Sequence, residues 1–321
     1  MSKKTVLIYG ISSFVGSNIA QFLKKDFNVY GTYNKTPVSY SGITTYRCDV
    51  LVKDDVQRIA YRVMPDFTIY SVGLSSVCDC AEFPDLADAL NTAGLFTVSE
   101  FAARYKSQIC VISSSFVFGG ENKEYVEIDI PDAITTYGKT FASSEFYIQK
   151  TSLNYIIFRC CQLYGQSYRP DRLHNFEKIQ KNFLENIPFN ADASVITGFL
   201  DVTYLAMVLK MCFTDAVMNR LFQVSSKDHM NYYDFIKKYA EIFGVSSSIV
   251  GRDKWPFPLE LGPGASLNSN DLTFKVDPGN LENYLSIKLP TIEESLKFTQ
   301  ARLHGTNKKE SGGKSDGVKF I

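Results

Sequence analysis

The run Thr5-Val-Leu-Ile-Tyr-Gly10, followed six positions later by Gly16, most limits what this chain can fold into. A β-rich apolar segment that ends in glycine is a strand entering a tight turn. Residues 17–25 then read as a helix, with Ile19, Ala20, Phe22 and Leu23 on one face. A second strand covers residues 27–33, a third ends at residues 46–50, and residues 66–72 form a fourth. Residues 84–105 make a long helical stretch, residues 108–113 another strand, and residues 155–159 a later strand of the same sheet. Strands alternating with helices imply an α/β fold, a doubly wound parallel sheet covered on both faces. Burial on both faces explains why these strands are near-continuous apolar runs.

Beyond residue 165 the alternation loosens. Residues 166–304 read as a smaller C-terminal substrate lobe interleaved with sheet elements, after a dinucleotide-binding domain over residues 1–165. Arg169-Pro-Asp-Arg and Asn190-Ala-Asp-Ala read as excursions from the sheet. A helix is expected over residues 231–244, with Tyr233, Phe235, Ile236 and Tyr239 inward, and a final helix from Thr291. Trp255-Pro-Phe-Pro258 and Leu261-Gly-Pro-Gly264 read as rigid loops. Residues 305–321, rich in Gly, Ser and Lys, are expected to be a flexible tail.

Composition narrows the function. Basic and acidic residues balance at 34 each in 321 residues, so no charge excess points to nucleic acid. No apolar run reaches the roughly 18 residues a membrane span needs. The apolar part of the amino terminus is too short for a signal peptide, so a cytoplasmic location is expected. The seven cysteines are odd in number. Cys78-Asp-Cys80 and Cys160-Cys161 have no metal-ligand spacing, and His174, His229 and His304 are scattered. Buried reduced thiols are the expectation, with no metal site.

The turn Gly10-Ile-Ser-Ser-Phe-Val-Gly16 is placed to hold a pyrophosphate. Gly10 permits the turn, and Gly16 permits close helix–sheet packing. The helix that follows offers free N–H groups and a positive dipole end near Ser12, Ser13, Phe14 and Val15. Ser13 stands where such loops usually carry a middle glycine, and its hydroxyl could itself meet phosphate. The fold is therefore expected to be Rossmann-type. The second strand ends in Tyr33-Asn34-Lys35 without the carboxylate that holds a ribose 2′-hydroxyl. Lys35 could meet a 2′-phosphate, which favours NADP over NAD. Asp49, followed by Val50, could bond the adenine amino group or serve as a turn aspartate.

In this order along the chain, Gly10 to Gly16, Cys48-Asp49-Val50, Val77-Cys-Asp-Cys-Ala-Glu82 and Leu90-Asn91 carry a resemblance. It continues through Ile112-Ser-Ser-Ser-Phe-Val-Phe-Gly119, Tyr137-Gly-Lys, Arg159, Leu163-Tyr-Gly165, Phe222–Phe235 and Ile287–Leu296. The sequence resembles the extended short-chain dehydrogenase/reductase superfamily, closest to its dTDP-4-dehydrorhamnose reductase group. The resemblance implies that Ser114 binds the reacting oxygen and Tyr137 is the general acid. It implies that Asn91 supports the site, that Ser71, Val72 and Gly73 pass the cofactor ribose, and that Ser115 and Phe116 face substrate. Ser115 and Phe116 stand where the group typically has Asp and Tyr. Thr197 begins a lobe motif that often starts with Arg. A homodimer through the helices at 84–105 and 137–150 is suggested by resemblance alone.

The largest departure is Phe141, at the lysine of the family's Tyr-x-x-x-Lys motif. A free tyrosine has a pKa of about 10. The family lysine lowers it and also bonds the nicotinamide ribose, and Phe141 can do neither. Lys139 lies two residues on, about 200° around a helix, and should face elsewhere. Two functions follow. One is an NAD(P)-dependent oxidoreductase or epimerase acting on a nucleotide-activated 4-keto sugar. The other is a catalytically impaired regulatory subunit that binds a dinucleotide or sugar nucleotide.

Overall fold

The computed structural model describes residues 3–152, 154–169, 171–254, 259–260 and 272–310, with side chains to His304. The loops expected at Trp255–Pro258 and Leu261–Gly264, and residues 311–321, lie outside them. In the first half, β1 (Thr5–Tyr9), α1 (Phe14–Leu23), β2 (Asn28–Tyr33), β3 (Thr44–Arg47), α2 (Lys53–Val63) and β4 (Phe67–Tyr70) follow in order. Then come α3 (Val77–Glu82), α4 (Pro84–Asp88), a π-helical turn (Ala89–Ala93), α5 (Gly94–Arg104) and β5 (Gln108–Ser114). β6 (Glu124–Tyr125), α6 (Thr136–Thr151) and β7 (Tyr155–Cys160) complete that half.

The second half begins with β8 (Gln162–Tyr164), α7 (Asn175–Leu184), β9 (Phe189–Asp192), β10 (Val195–Thr197) and β11 (Phe199–Asp201). α8 (Val202–Thr214) and β12 (Arg220–Val224) return to the main sheet, between two lobe segments. The remainder is β13 (Met230–Asn231), α9 (Tyr232–Phe243), β14 (Val250–Asp253), β15 (Leu272–Val276), α10 (Gly279–Leu285) and α11 (Ile292–Glu310).

The main sheet has seven parallel strands in the order β12-β7-β5-β4-β1-β2-β3. The chain starts at β1, winds outward to β3, then crosses back to β4. The order therefore reverses between β1 and β4, where doubly wound folds open a crevice at the strand C-termini. One face packs Ile19, Leu23, Leu205 and Leu209 of α1 and α8 on Val6, Ile8 and Phe158. The other packs Val56, Ile59, Val98 and Phe101 of α2 and α5 on Leu7, Tyr9 and Val111. The helices at 53–63 and 202–214, unassigned by the sequence pattern, are what covers the sheet at these positions.

A separate four-stranded sheet, β13-β10-β15-β6, forms part of the lobe, with two two-stranded pairs, β11-β8 and β14-β9. Two expectations are corrected. The segment at Asn190 is not a loop excursion but strand β9, paired in parallel with β14. Residues 305–310, expected as the start of the tail, continue the backbone helix α11 to Glu310. Among the described residues no helix is long and apolar enough to cross a membrane. All seven cysteines are free thiols, and only Cys78 is exposed.

Candidate functional site

The turn after β1 lies at the reversal point. Gly10 has φ +84°, and a Cβ on it would stand 2.7 Å from the Ser71 carbonyl oxygen. A Cβ on Gly16 would stand 2.4 Å from the Gly10 carbonyl oxygen. Both glycines thus let β1, the turn and the segment after β4 close into one cradle. Ser13 caps α1: its Oγ accepts from the Gly16 amide at 2.9 Å and lies 3.0 Å from Ser71 Oγ. Its hydroxyl is used inside the cradle wall rather than turned toward a phosphate. With Gly16 capped, helix geometry leaves the amides of Phe14 and Val15 in the first turn to meet an anion.

Ser114, at the end of β5, and Tyr137, in the first turn of α6, are brought together. The two are near enough for Ser114 to hydrogen-bond the phenol. Thr135 caps α6 by accepting from the Gly138 amide at 3.0 Å. Gly138 then sets the approach, because a Cβ there would lie 1.9 Å from the Phe116 carbonyl oxygen. Sequence reasoning passed over Gly138. Gly138→Ala is expected to push α6 off the turn after β5, separate Tyr137 from Ser114 and destabilise the fold by about 1–3 kcal/mol. Chemical denaturation would check it, and an unchanged midpoint would contradict the close approach.

Phe141 packs its ring edge-on to Tyr137, with centroids 4.8 Å apart, and rests on Val117, Phe118, Tyr125 and Val276. Burial pushes the Tyr137 phenol up to about 12, and the Ser114 hydroxyl pulls it part of the way back. No ammonium opposes the burial. Lys139 faces elsewhere, as its two-residue offset predicted: its Nζ pairs with Glu260 at 2.6 Å.

Several expected ligand contacts are absorbed by the protein itself. Asn91, 2% exposed, lies in the π-helical turn. Its Oδ1 accepts from the Leu74 amide at 2.8 Å, and its Nδ2 donates to Thr140 Oγ1 at 3.0 Å. It therefore positions the segment after β4 against α6; π-turns often mark functional sites. Asp49 Oδ1 accepts from the Leu51 amide at 3.0 Å, forming a turn. Val50 and, in part, Val72 belong to the core under α2 and α5. Asn34 and Lys35 stand just past β2, with Lys35 exposed.

Ser115 is fully buried, and its hydroxyl has no partner among the described residues, so it does not face substrate. Phe116 stacks on Phe274 of β15 at 4.2 Å and meets Tyr137 edge-on at 5.9 Å. The wall over Tyr137 is thus apolar, built by Phe116, Val195, Leu272 and Phe274. Thr197 Oγ1 donates to the Phe274 carbonyl at 3.4 Å.

Beneath the site lies a buried ion pair. Arg159 of β7 and Glu145 of α6 have side chains 3% and 1% exposed, joined at 2.8 Å. Arg159 Nε adds hydrogen bonds at 3.1 and 3.0 Å, and Ser113 Oγ donates to Glu145 Oε1. The pair locks β5, α6 and β7, the elements that carry Ser114 and Tyr137. Arg159 was visible in the sequence as a charge within an apolar strand, but its partner was not.

A reversed-order parallel sheet, a glycine cradle at the reversal and a Ser–Tyr pair beside it define a short-chain dehydrogenase/reductase-type protein. The RmlD substrate binding domain family matches residues 4–251, and the chain belongs to that family. It is 24% identical over 254 residues to methionine adenosyltransferase 2 subunit beta of Bos taurus, covering 76% of this chain and 74% of that one. It is 23% identical over 233 residues to dTDP-4-dehydrorhamnose reductase of Aggregatibacter actinomycetemcomitans, covering 72% and 76%. The crystal structure of dTDP-4-dehydrorhamnose reductase from Bacillus anthracis in complex with NADP superposes with a TM-score of 0.78 at 18% identity. That match covers 94% of this chain and 99% of the other.

Proposed function

We propose that this chain holds a nicotinamide dinucleotide in the Gly10–Gly16 cradle and reduces a nucleotide-activated 4-keto sugar at Ser114 and Tyr137. The observation that carries the proposal is the Ser114–Tyr137 pair at the end of β5, on the same edge of the sheet as a turn whose glycines admit no side chain, with only β4 between. The family membership, and the relatives named as dTDP-4-dehydrorhamnose reductases, support it. Lys35, with no carboxylate at the end of β2, favours NADP over NAD.

The dinucleotide, when bound, supplies hydride. Ser114 polarises the substrate oxygen, and Tyr137 gives it a proton as the carbonyl becomes an alcohol. With its pKa pushed up to about 12, chiefly by burial, the phenol is protonated at neutral pH. The raised pKa keeps Tyr137 in the protonated form that can give a proton but makes it a weak acid, which fits slow turnover.

A second reading is a dinucleotide-binding regulatory subunit. Phe141 at the lysine position favours it, as does the likeness to a subunit of methionine adenosyltransferase 2. Titration with NADPH and NADH, with turnover of dTDP-4-dehydrorhamnose, tests both. Dinucleotide binding is expected, with slow reduction that Tyr137→Phe lowers about 10²-fold or more. Binding without turnover leaves the regulatory reading. Binding of neither dinucleotide at millimolar concentration defeats both.

A further inference from the structure

The segment between β8 and α7, which the sequence offered only as an excursion, lies across the cradle. Asn18 of α1, almost fully buried, donates through Nδ2 to the Gln166 carbonyl at 3.0 Å and so ties the start of the segment to α1. The His174 ring stacks on Phe14, the first residue of α1, with centroids 3.7 Å apart and planes 7° off parallel. The Glu177 carboxylate gathers both ends, accepting from the Ser167 amide at 3.1 Å and the His174 amide at 2.7 Å. The described residues at both ends of the segment are thus held at three places.

Between these anchors stands Arg169. Its NH1 lies 3.5 Å from the Ser12 carbonyl, across 157 residues of sequence, which puts a guanidinium at the lip of the turn. Its Nε donates to Asp171 Oδ1 at 2.9 Å, and NH2 holds the other carboxylate oxygen. The arginine side chain is 20% exposed and the aspartate 47% exposed, so the cation is anchored and its counter-ion is half in water. A guanidinium has five donors. The fork to Asp171 leaves NH1, at a long distance from Ser12, available to a better acceptor. The Tyr40 hydroxyl is buried nearby without a well-formed hydrogen bond. Burial pushes that phenol up, while the Arg169 guanidinium pulls it down.

We infer that Arg169 recognises the pyrophosphate of the bound dinucleotide, supplying from the lobe the charge that the glycine turn lacks. The inference rests on the dinucleotide reading of the cradle. The amides of Phe14 and Val15 meet the anion from one side, while the Ser13 hydroxyl is engaged with the Gly16 amide and Ser71 in the cradle wall. Arg169 meets it from the other side, because a planar guanidinium fits two phosphate oxygens at once. Asp171 holds the side chain at the lip until the anion arrives. Its half-exposed carboxylate makes a weak competitor for a diphosphate.

The test is calorimetric titration of NADPH and NADH into the full chain, comparing native protein with Arg169→Ala and Arg169→Gln. Loss of a charge-assisted contact should weaken binding of both dinucleotides about 10- to 100-fold. Circular dichroism establishes that each variant is folded, and Arg169→Gln decides the matter if the alanine variant is not. Native affinity in a folded variant overturns the role of Arg169 and leaves the cradle standing. Failure of the native protein to bind either dinucleotide overturns the cradle reading and this inference with it.

Discussion

Phe141→Lys is expected to raise turnover of a nucleotide-activated 4-keto sugar about 10²-fold or more, the range for an effective general acid or base. The substitution places an ammonium one helical turn beyond Tyr137, on the same face of α6. An adjacent cation favours the phenolate, opposing the burial that now pushes the phenol to about 12. Glu145, a further turn along, does not capture the new charge. Its carboxylate already holds Arg159 and Ser113. The cost is packing, because the Phe141 ring rests on Val117, Phe118, Tyr125 and Val276. Losing that half-buried contact should destabilise by about 1–2 kcal/mol. The pH dependence of turnover gives the sharper readout. With lysine present, the apparent pKa assigned to Tyr137 should move down toward neutrality. Phe141→Met removes the ring without adding charge and should do neither. An unchanged rate and pH profile in a folded, dinucleotide-binding Phe141→Lys protein would show that Tyr137 is not limited by this position.

Glu145→Ala should be the most destabilising single change considered, by about 3–5 kcal/mol. It leaves the Arg159 guanidinium in the core, 3% exposed, with its carboxylate gone. Among the described residues the contacts that remain are the Glu127 carbonyl at 3.3 Å and the face of the Phe118 ring, 4.9 Å from the guanidinium carbon, with the exposed-side Asp129 carboxylate felt only through a lesser coulombic effect. Neither contact neutralises a buried charge. Thermal denaturation should show a fall of about 5 °C or more. The double variant Glu145→Leu with Arg159→Met should recover most of the loss, because it leaves no buried charge unpaired, only the neutral Ser113 hydroxyl and Glu127 carbonyl without these partners. A Glu145→Ala melt like the native one would mean the pair is worth little here. The pair also bears on function. Arg159 sits opposite Ser113 in the register between β7 and β5, one residue before Ser114. Glu145 lies two turns beyond Tyr137 on α6. Breaking the pair loosens the two elements that set the distance between the candidate serine and tyrosine.

The two substitutions also mark where reading along the chain stops. Phe141 could be judged from its place relative to Tyr137, because helical spacing is a local rule. Glu145 could not, because its meaning depends on a strand fourteen residues further on. Ser13 is a similar case. A serine in a glycine turn looks like a phosphate ligand until its hydroxyl is found on the Gly16 amide. Asn91 was expected to support the site, and only the fold shows how: its amide holds Leu74 and Thr140 together.

Local chemistry determined the alternation of apolar strands with amphipathic helices, the glycine turn after the first strand, and the missing charge at Phe141. The first two follow from backbone sterics and periodicity within a dozen residues, and the third from the resemblance to a Tyr-x-x-x-Lys family, so a linear reading reaches all three. The packed molecule alone decided that Gly138 brings α6 onto the Phe116 carbonyl, that Glu145 meets Arg159, and that Arg169 arrives at Ser12 from the lobe. Those contacts join residues far apart in the chain, and what they do depends on which elements the sheet stacks side by side.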